Sequence, residues 1–155
     1  MGTQELLRAL EPVFDVLAGL DLSRPDEARE RLAAAFPPDG EVVRRLRALV
    51  QAGVAEGWLC DREAGGARFS RVAKPGEATR GFSVDAVELS GPGVWHRHPA
   101  GEVNLCFALD PEAAFDGFAE GWVVFGEGSD HVPTVSGGRM LLLYFLPGGR
   151  IDWKR

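Results

Sequence analysis

A break in periodicity near Trp58 divides this chain into two kinds of local structure, and few folds accommodate both. Before the break, Leu6, Leu10, Val13, Phe14 and Leu17 recur at three- and four-residue steps and form one apolar stripe, the signature of an amphipathic helix. Pro12 interrupts that run and predicts a kink or two short helices. Ser23-Arg-Pro25-Asp-Glu27 supplies a cap residue, an early proline and acids for a first turn. A second helix should therefore open there and end near Phe36-Pro-Pro38. A third is expected over 40–55, burying Val42, Val43, Leu46, Leu49 and Val50, with Gly53 and Gly57 loosening and ending it.

After Trp58, glycine and proline punctuate short segments rich in β-branched and aromatic residues, at 69–73, 82–89, 103–108, 122–125, 140–146 and 151–153. Short strands at this spacing predict an antiparallel sandwich or barrel. The expected architecture is mainly β with an N-terminal α-helical extension over 1–57, packed on, or swapped between, barrels formed by 58–155. Trp95, Trp122 and Phe125 read as barrel-wall packing.

Charge narrows the partners. With 17 basic against 23 acidic residues the net charge is −6, which argues against nucleic acid or an anionic membrane surface as the main partner. No apolar run approaches the ~18 residues of a membrane span, and the N-terminus lacks the basic start and apolar core of a signal peptide. Cys60 and Cys106 have no zinc spacing and should be reduced thiols in a cytoplasmic protein, Cys106 as a small core residue.

The 3 histidines of the chain fall as His96-Arg97-His98, followed by Glu102, and then His131. Side chains two apart on a strand point the same way, so His96 and His98 can both face a barrel interior. Pro99-Ala-Gly101 permits a turn that returns Glu102 opposite them, and the two-residue period then directs Asn104, Cys106 and Ala108 inward as well. His131 enters from a later strand, after the Gly126-Glu-Gly128-Ser-Asp segment. Three nitrogens and one carboxylate suit a divalent ion such as Fe, Mn, Zn, Ni or Cu, with coordination positions left over for catalysis.

Gly91-Pro-Gly-Val-Trp-His96-Arg-His98-Pro-Ala-Gly-Glu102 resembles the first motif of the cupins, and Gly121-Trp-Val-Val-Phe-Gly126-Glu-Gly128-Ser-Asp-His131 resembles the second, with Gly126 where the motif has proline. That resemblance covers roughly 65–153 and implies a small double-stranded β-helix (jelly-roll) barrel. Over the whole chain, Gly57-Trp-Leu-Cys-Asp, Arg68-Phe-Ser-Arg71-Val-Ala-Lys-Pro75, Leu105-Cys-Phe, His131-Val-Pro-Thr-Val-Ser-Gly-Gly138 and Tyr144-Phe-Leu-Pro-Gly-Gly149 are similar to the 4-hydroxylaminobenzoate lyase family. The resemblance implies a lyase of nitroaromatic degradation that converts 4-hydroxylaminobenzoate to protocatechuate and ammonia.

On that reading His96, His98, Glu102 and His131 hold the metal, which polarises the departing N-hydroxyl oxygen. Glu102, if loosely ligated, or Tyr144 takes the ring proton. Arg68 or Arg71, on opposite faces of one strand, binds the carboxylate of an aromatic substrate, and Asn104 contacts either substrate or a metal ligand. Two alternatives use the same residues: an iron-dependent cupin dioxygenase acting on an aromatic or thiol substrate, and a non-catalytic cupin that binds a small molecule. A homodimer is the expected assembly.

Overall fold

In the computed structural model, which describes residues 2–155, three helices precede ten strands. Helix α1 (Gly2–Leu17) runs through Pro12 as one helix, not two. Pro12 and Arg8, the residue whose carbonyl loses its hydrogen bond, both face solvent, where water can replace the missing donor. The five buried residues Leu6, Leu10, Val13, Phe14 and Leu17 hold the helix to the protein on its other side. Helix α2 (Pro25–Ala35) takes its N-cap at Arg24, without a side-chain bond, rather than at Ser23. Pro25 occupies the first helical position and fixes the cap one residue before itself, so the Ser23 hydroxyl turns back to Asp21 at 2.6 Å. Helix α3 (Glu41–Glu56) ends as expected at Gly57, whose φ of 86° is left-handed. Gly53 does not loosen the helix. It is buried, and a Cβ there would lie 2.6 Å from the Leu59 side chain, so only glycine permits this approach.

The strands are β1 (Arg62–Ala64), β2 (Ala67–Ala73), β3 (Phe82–Leu89), β4 (His96–His98), β5 (Glu102–Ala108), β6 (Ala114–Phe115), β7 (Gly121–Phe125), β8 (Ser129–His131), β9 (Val135–Ser136) and β10 (Met140–Pro147). Six form one antiparallel sheet in the order β1-β2-β3-β10-β5-β7; β4 pairs with β8, and β6 with β9. The segment 151–153 is not a strand. Asp152 alone bridges Arg97, through bonds of 2.8 and 3.0 Å, after Gly148 and Gly149 turn the chain with positive φ.

At its centre, through β3, β10 and β5, the large sheet is buried on both faces. Val103, Leu105 and Phe107 of β5, with Leu141, Leu143 and Phe145 of β10, pack into one core with the apolar stripes of α1, α2 and α3. Phe14 of α1 meets Phe145 edge-on at 6.1 Å. The alternate residues of the same strands, Cys106, Met140, Leu142 and Tyr144, turn the other way into the barrel interior with Phe115, Val123 and Val135. Strand β10 thus reads as a nearly continuous apolar run because it has two interiors to fill. The fold is a small cupin jelly-roll barrel with helices on one side.

Candidate metal centre

Strand β4 exposes Arg97 and buries His96 and His98, as the two-residue period requires. Pairing with β8 sets His131 directly across from His96, and Ser129 across from His98. Gly101, with φ 89°, closes the turn into β5 against Leu22 of the α1–α2 connection, where a Cβ would come within 2.9 Å of that side chain. Glu102 then opens β5 facing the histidines. The structure brings these four residues together: their candidate ligand atoms all lie within 4.8 Å of one another.

The outer nitrogen of each ring has its own partner. Nδ1 of His96 donates to the Val94 carbonyl at 3.2 Å, and Nδ1 of His131 lies 2.5 Å from the Asp116 carboxylate. Nδ1 of His98 meets the Ser129 hydroxyl at 3.0 Å; that hydroxyl donates its one proton to the Gly126 carbonyl at 2.6 Å, so His98 must be the donor. With protons fixed on Nδ1, three Nε2 lone pairs converge on the Glu102 carboxylate.

They converge too closely for neutral company. Nε2 of His96 and His131 are 3.2 Å apart, and Nε2 of His98 is 2.8 Å from Oε2 of Glu102. His98 Nε2 and Glu102 Oε1 are buried with no hydrogen-bond partner. Lone pairs facing one another in a dry site call for a cation between them. Three neutral imidazoles and one carboxylate carry a single negative charge, and four donors are fewer than a six-coordinate ion takes. The residues therefore fit a divalent metal.

Burial alone would raise the Glu102 carboxyl; positive charge beside it, whether ring protons on His96 and His98 or a cation in their place, outweighs burial and holds the acid ionised. Glu102 is fully buried, with Oε1 toward His96 and Oε2 toward His98. Burial draws His131 down against the opposing pull of Asp116, which favours the neutral ring a metal needs. Burial also pushes the Tyr144 phenol and the Cys106 thiol well above their ordinary ranges. Tyr144 keeps its proton, and Cys106 is an inert core thiol, as expected.

A cavity of about 410 Å³ opens beside the cluster and reaches it at His96, with Tyr144 also in its wall. Its walls are otherwise mainly apolar, with Trp153 edge-on to His96 at 5.3 Å. Of the two arginines anticipated for a carboxylate, Arg71 lines this cavity and Arg68 does not. Arg68 projects to the opposite face and pairs with Glu88 at 3.4 Å. Asn104 does not line this cavity: fully buried beside Glu102, it donates to Oε2 at 3.4 Å.

Two acids escaped the sequence reading. Asp116, at positive φ (47°), accepts from the Thr134 amide at 2.8 Å while holding His131. Its only sequence signal is the Asp-Gly turn it begins with Gly117. Asp85 lines the cavity and is bonded to Arg71 Nε at 2.6 Å. Burial raises its carboxyl, opposed by Arg71. Within β3 nothing sets it apart from Glu88, the other acid of the strand.

Barrel, helical extension and a three-histidine, one-glutamate cluster define a protein of cupin fold with a candidate metal centre. The particular family is given by comparison: residues 11–153 match the family described as PnbB, 4-hydroxylaminobenzoate lyase, and the chain belongs to it. A 4-hydroxylaminobenzoate lyase of Nocardioides sp. (strain LMS-CY) is 34% identical over 164 residues, covering 97% of this chain and 94% of the relative. A second, of Pseudomonas putida, is 34% identical over 136 residues, covering 76% and 77%. A chain from the crystal structures of the DMSP lyases RdDddP and RnDddQII shares the fold end to end, with a TM-score of 0.51 at 15% identity over 99% of this chain and 98% of that one. Among the described residues, no helix is long and apolar enough to cross a membrane.

Proposed function

We propose that the protein is a metal-dependent lyase converting 4-hydroxylaminobenzoate and one water to protocatechuate and ammonia. The observation that carries this reading, beside family membership, is the buried cluster of donor atoms, two of them unpartnered, that meets at His96 a mainly apolar cavity with room for an aromatic ring. The reaction needs no external oxidant. Breaking the N–O bond takes up the two electrons that the ring loses when oxygen enters beside the nitrogen. Water then replaces nitrogen at its own carbon, and ammonia leaves.

A divalent ion held by His96, His98, Glu102 and His131 would supply Lewis acidity toward the N-hydroxyl oxygen. Tyr144 keeps its proton and faces the cavity, so its role is to donate to the departing oxygen. Arg71 receives the carboxylate at the cavity wall and fixes the ring's direction. Asn104 holds Oε2 of Glu102 in place.

The test is ammonia release from 4-hydroxylaminobenzoate under nitrogen, with protein stripped of metal and then reloaded. Turnover without air that returns with metal supports the reading. Absence of ammonia from metal-replete protein overturns it, and turnover only with oxygen uptake would identify a dioxygenase instead.

A further inference from the structure

Inward-facing residues of neighbouring strands form a polar row across the sheet. Arg71 on β2 pairs in register with Asp85 on β3, Asp85 with Tyr144 on β10, and Tyr144 with Asn104 on β5. Strands lie about 4.8 Å apart, so the row leads stepwise from Arg71 toward the strand carrying Glu102. Asn104 is sealed behind the ligands, but Arg71, Asp85 and Tyr144 all line the cavity. Among the described residues lining it, Arg71 is the only arginine or lysine and Asp85 the only carboxylate.

The contact between these two is specific in its edge. Oδ1 of Asp85 takes the Nε–H of Arg71 at 2.6 Å, and no other acid pairs with that guanidinium among the described residues. An arginine offers five N–H groups in a rigid fork, so engagement through Nε leaves the two terminal nitrogens free as a pair. That pair is the edge that matches a carboxylate bidentately. The Asp85 side chain is mostly covered while that of Arg71 is half exposed, so the acid is the fixed member and the base the presented one.

We infer that Asp85 is a positioning residue for substrate specificity: it grips Arg71 by its Nε edge so that the terminal nitrogens meet the carboxylate of a para-substituted benzoate. This rests on the lyase reading for the identity of the ligand and deepens it. The selected class is a single aromatic ring with a carboxylate para to a nitrogen substituent. Two anchors on opposite ends of a rigid ring, Arg71 and the centre at His96, leave no freedom to bind it reversed. Held only at its Cα, an arginine samples many rotamers; the grip removes that cost from binding.

The experiment is calorimetric binding of 4-aminobenzoate and 4-aminobenzamide, an acid and its uncharged isostere, to the full metal-loaded chain. Wild type should prefer the acid by tenfold or more, on the order expected for a charge-assisted pair. Arg71→Ala should abolish that preference. Asp85→Ala should weaken acid binding by about tenfold and leave the amide unchanged. Asp85→Asn keeps an oxygen opposite Nε and should restore most of the loss. Asp85→Ser, which retains polarity but cannot reach, replaces Asp85→Ala should that variant not fold.

An unaltered preference in Asp85→Ala, an equal loss for both ligands, or no preference in wild type would overturn the assignment. Binding needs no turnover, so the two readings fail separately. A preference that depends on Asp85 without ammonia release sinks the lyase reading alone; ammonia release with a preference indifferent to Asp85 sinks this one alone.

Discussion

Strands β5 and β10 present two faces made from alternate residues of the same sequence, and the faces follow different rules. Toward the helices stand Val103, Leu105, Phe107, Leu141, Leu143 and Phe145, all apolar and sealed. Toward the barrel stand Glu102, Asn104, Cys106, Leu142 and Tyr144, equally buried but partly polar. The first face is satisfied: its neighbouring polar groups are closed by bonds such as Trp122 Nε1 to the Phe36 carbonyl at 2.9 Å. The second holds His98 Nε2, Glu102 Oε1 and Asn104 Oδ1 without partners. Burying such atoms costs stability, and a fold tolerates it where function requires it. The helical face therefore stabilises the barrel that the inner face strains.

This contrast is open to direct attack, and the largest effect should come from the inner face. His96→Ala or His131→Ala removes a donor from a four-donor set, so bound metal measured by elemental analysis should fall from one equivalent to none, and activity with it. Circular dichroism should still report a folded barrel, because the apolar cores do not involve these side chains. Unfolding on metal loss would mean that the centre is structural and would erase the distinction between the faces.

The outer face should answer in the opposite currency. Phe145→Ala empties a buried site between Phe14 and Trp122 and should lower stability by about 3–5 kcal/mol, read from denaturant unfolding. Metal stoichiometry and turnover per folded molecule should stay near wild type below the transition. A loss of metal at full folding would show that the helices set the ligand geometry, for instance through the contact of Leu22 with Gly101.

Smaller effects separate ligands from the groups that orient them. Asp116→Asn keeps the shape around His131 but weakens its orientation and basicity, so metal affinity by competition with a chelator should drop about 10- to 100-fold. Tyr144→Phe leaves the centre intact and should lower kcat by about a hundredfold with metal content unchanged, as expected for loss of a proton donor. Equal metal loss in Tyr144→Phe would argue that the tyrosine packs the centre instead of serving the reaction.

How much of this was legible in the sequence differs between the faces for a physical reason. Helix stripes and strand alternation are periodic, so the stripe of α1 and the inward set from Glu102 to Ala108 could be read off spacing. The grouping of the three histidines and Glu102 was legible because histidine is rare here and its spacing matches one turn between strands. Asp85 and Asp116 were not, since their roles arise from pairing across strands and from one left-handed turn, neither of which leaves a local pattern. Pro12 misled because its cost depends on whether the freed carbonyl meets water, which spacing does not report.

The finest comparison is between two arginines on β2. Arg68 and Arg71 each pair with an acid on β3, Glu88 at 3.4 Å and Asp85 at 2.6 Å, and each has a side chain close to half exposed. Sequence gives no reason to rank them; the pleat does, by turning Arg71 to the cavity and Arg68 to the helical face. An exposed pair of this kind contributes about 0–1 kcal/mol. Arg68→Ala should therefore shift unfolding by no more than that and leave turnover and KM unchanged. Arg71→Ala, with the same small change in stability, should raise KM for a carboxylated substrate severalfold or more. If the two variants behave alike in KM, the carboxylate is not read from this strand, and the functional asymmetry between the faces ends at the metal.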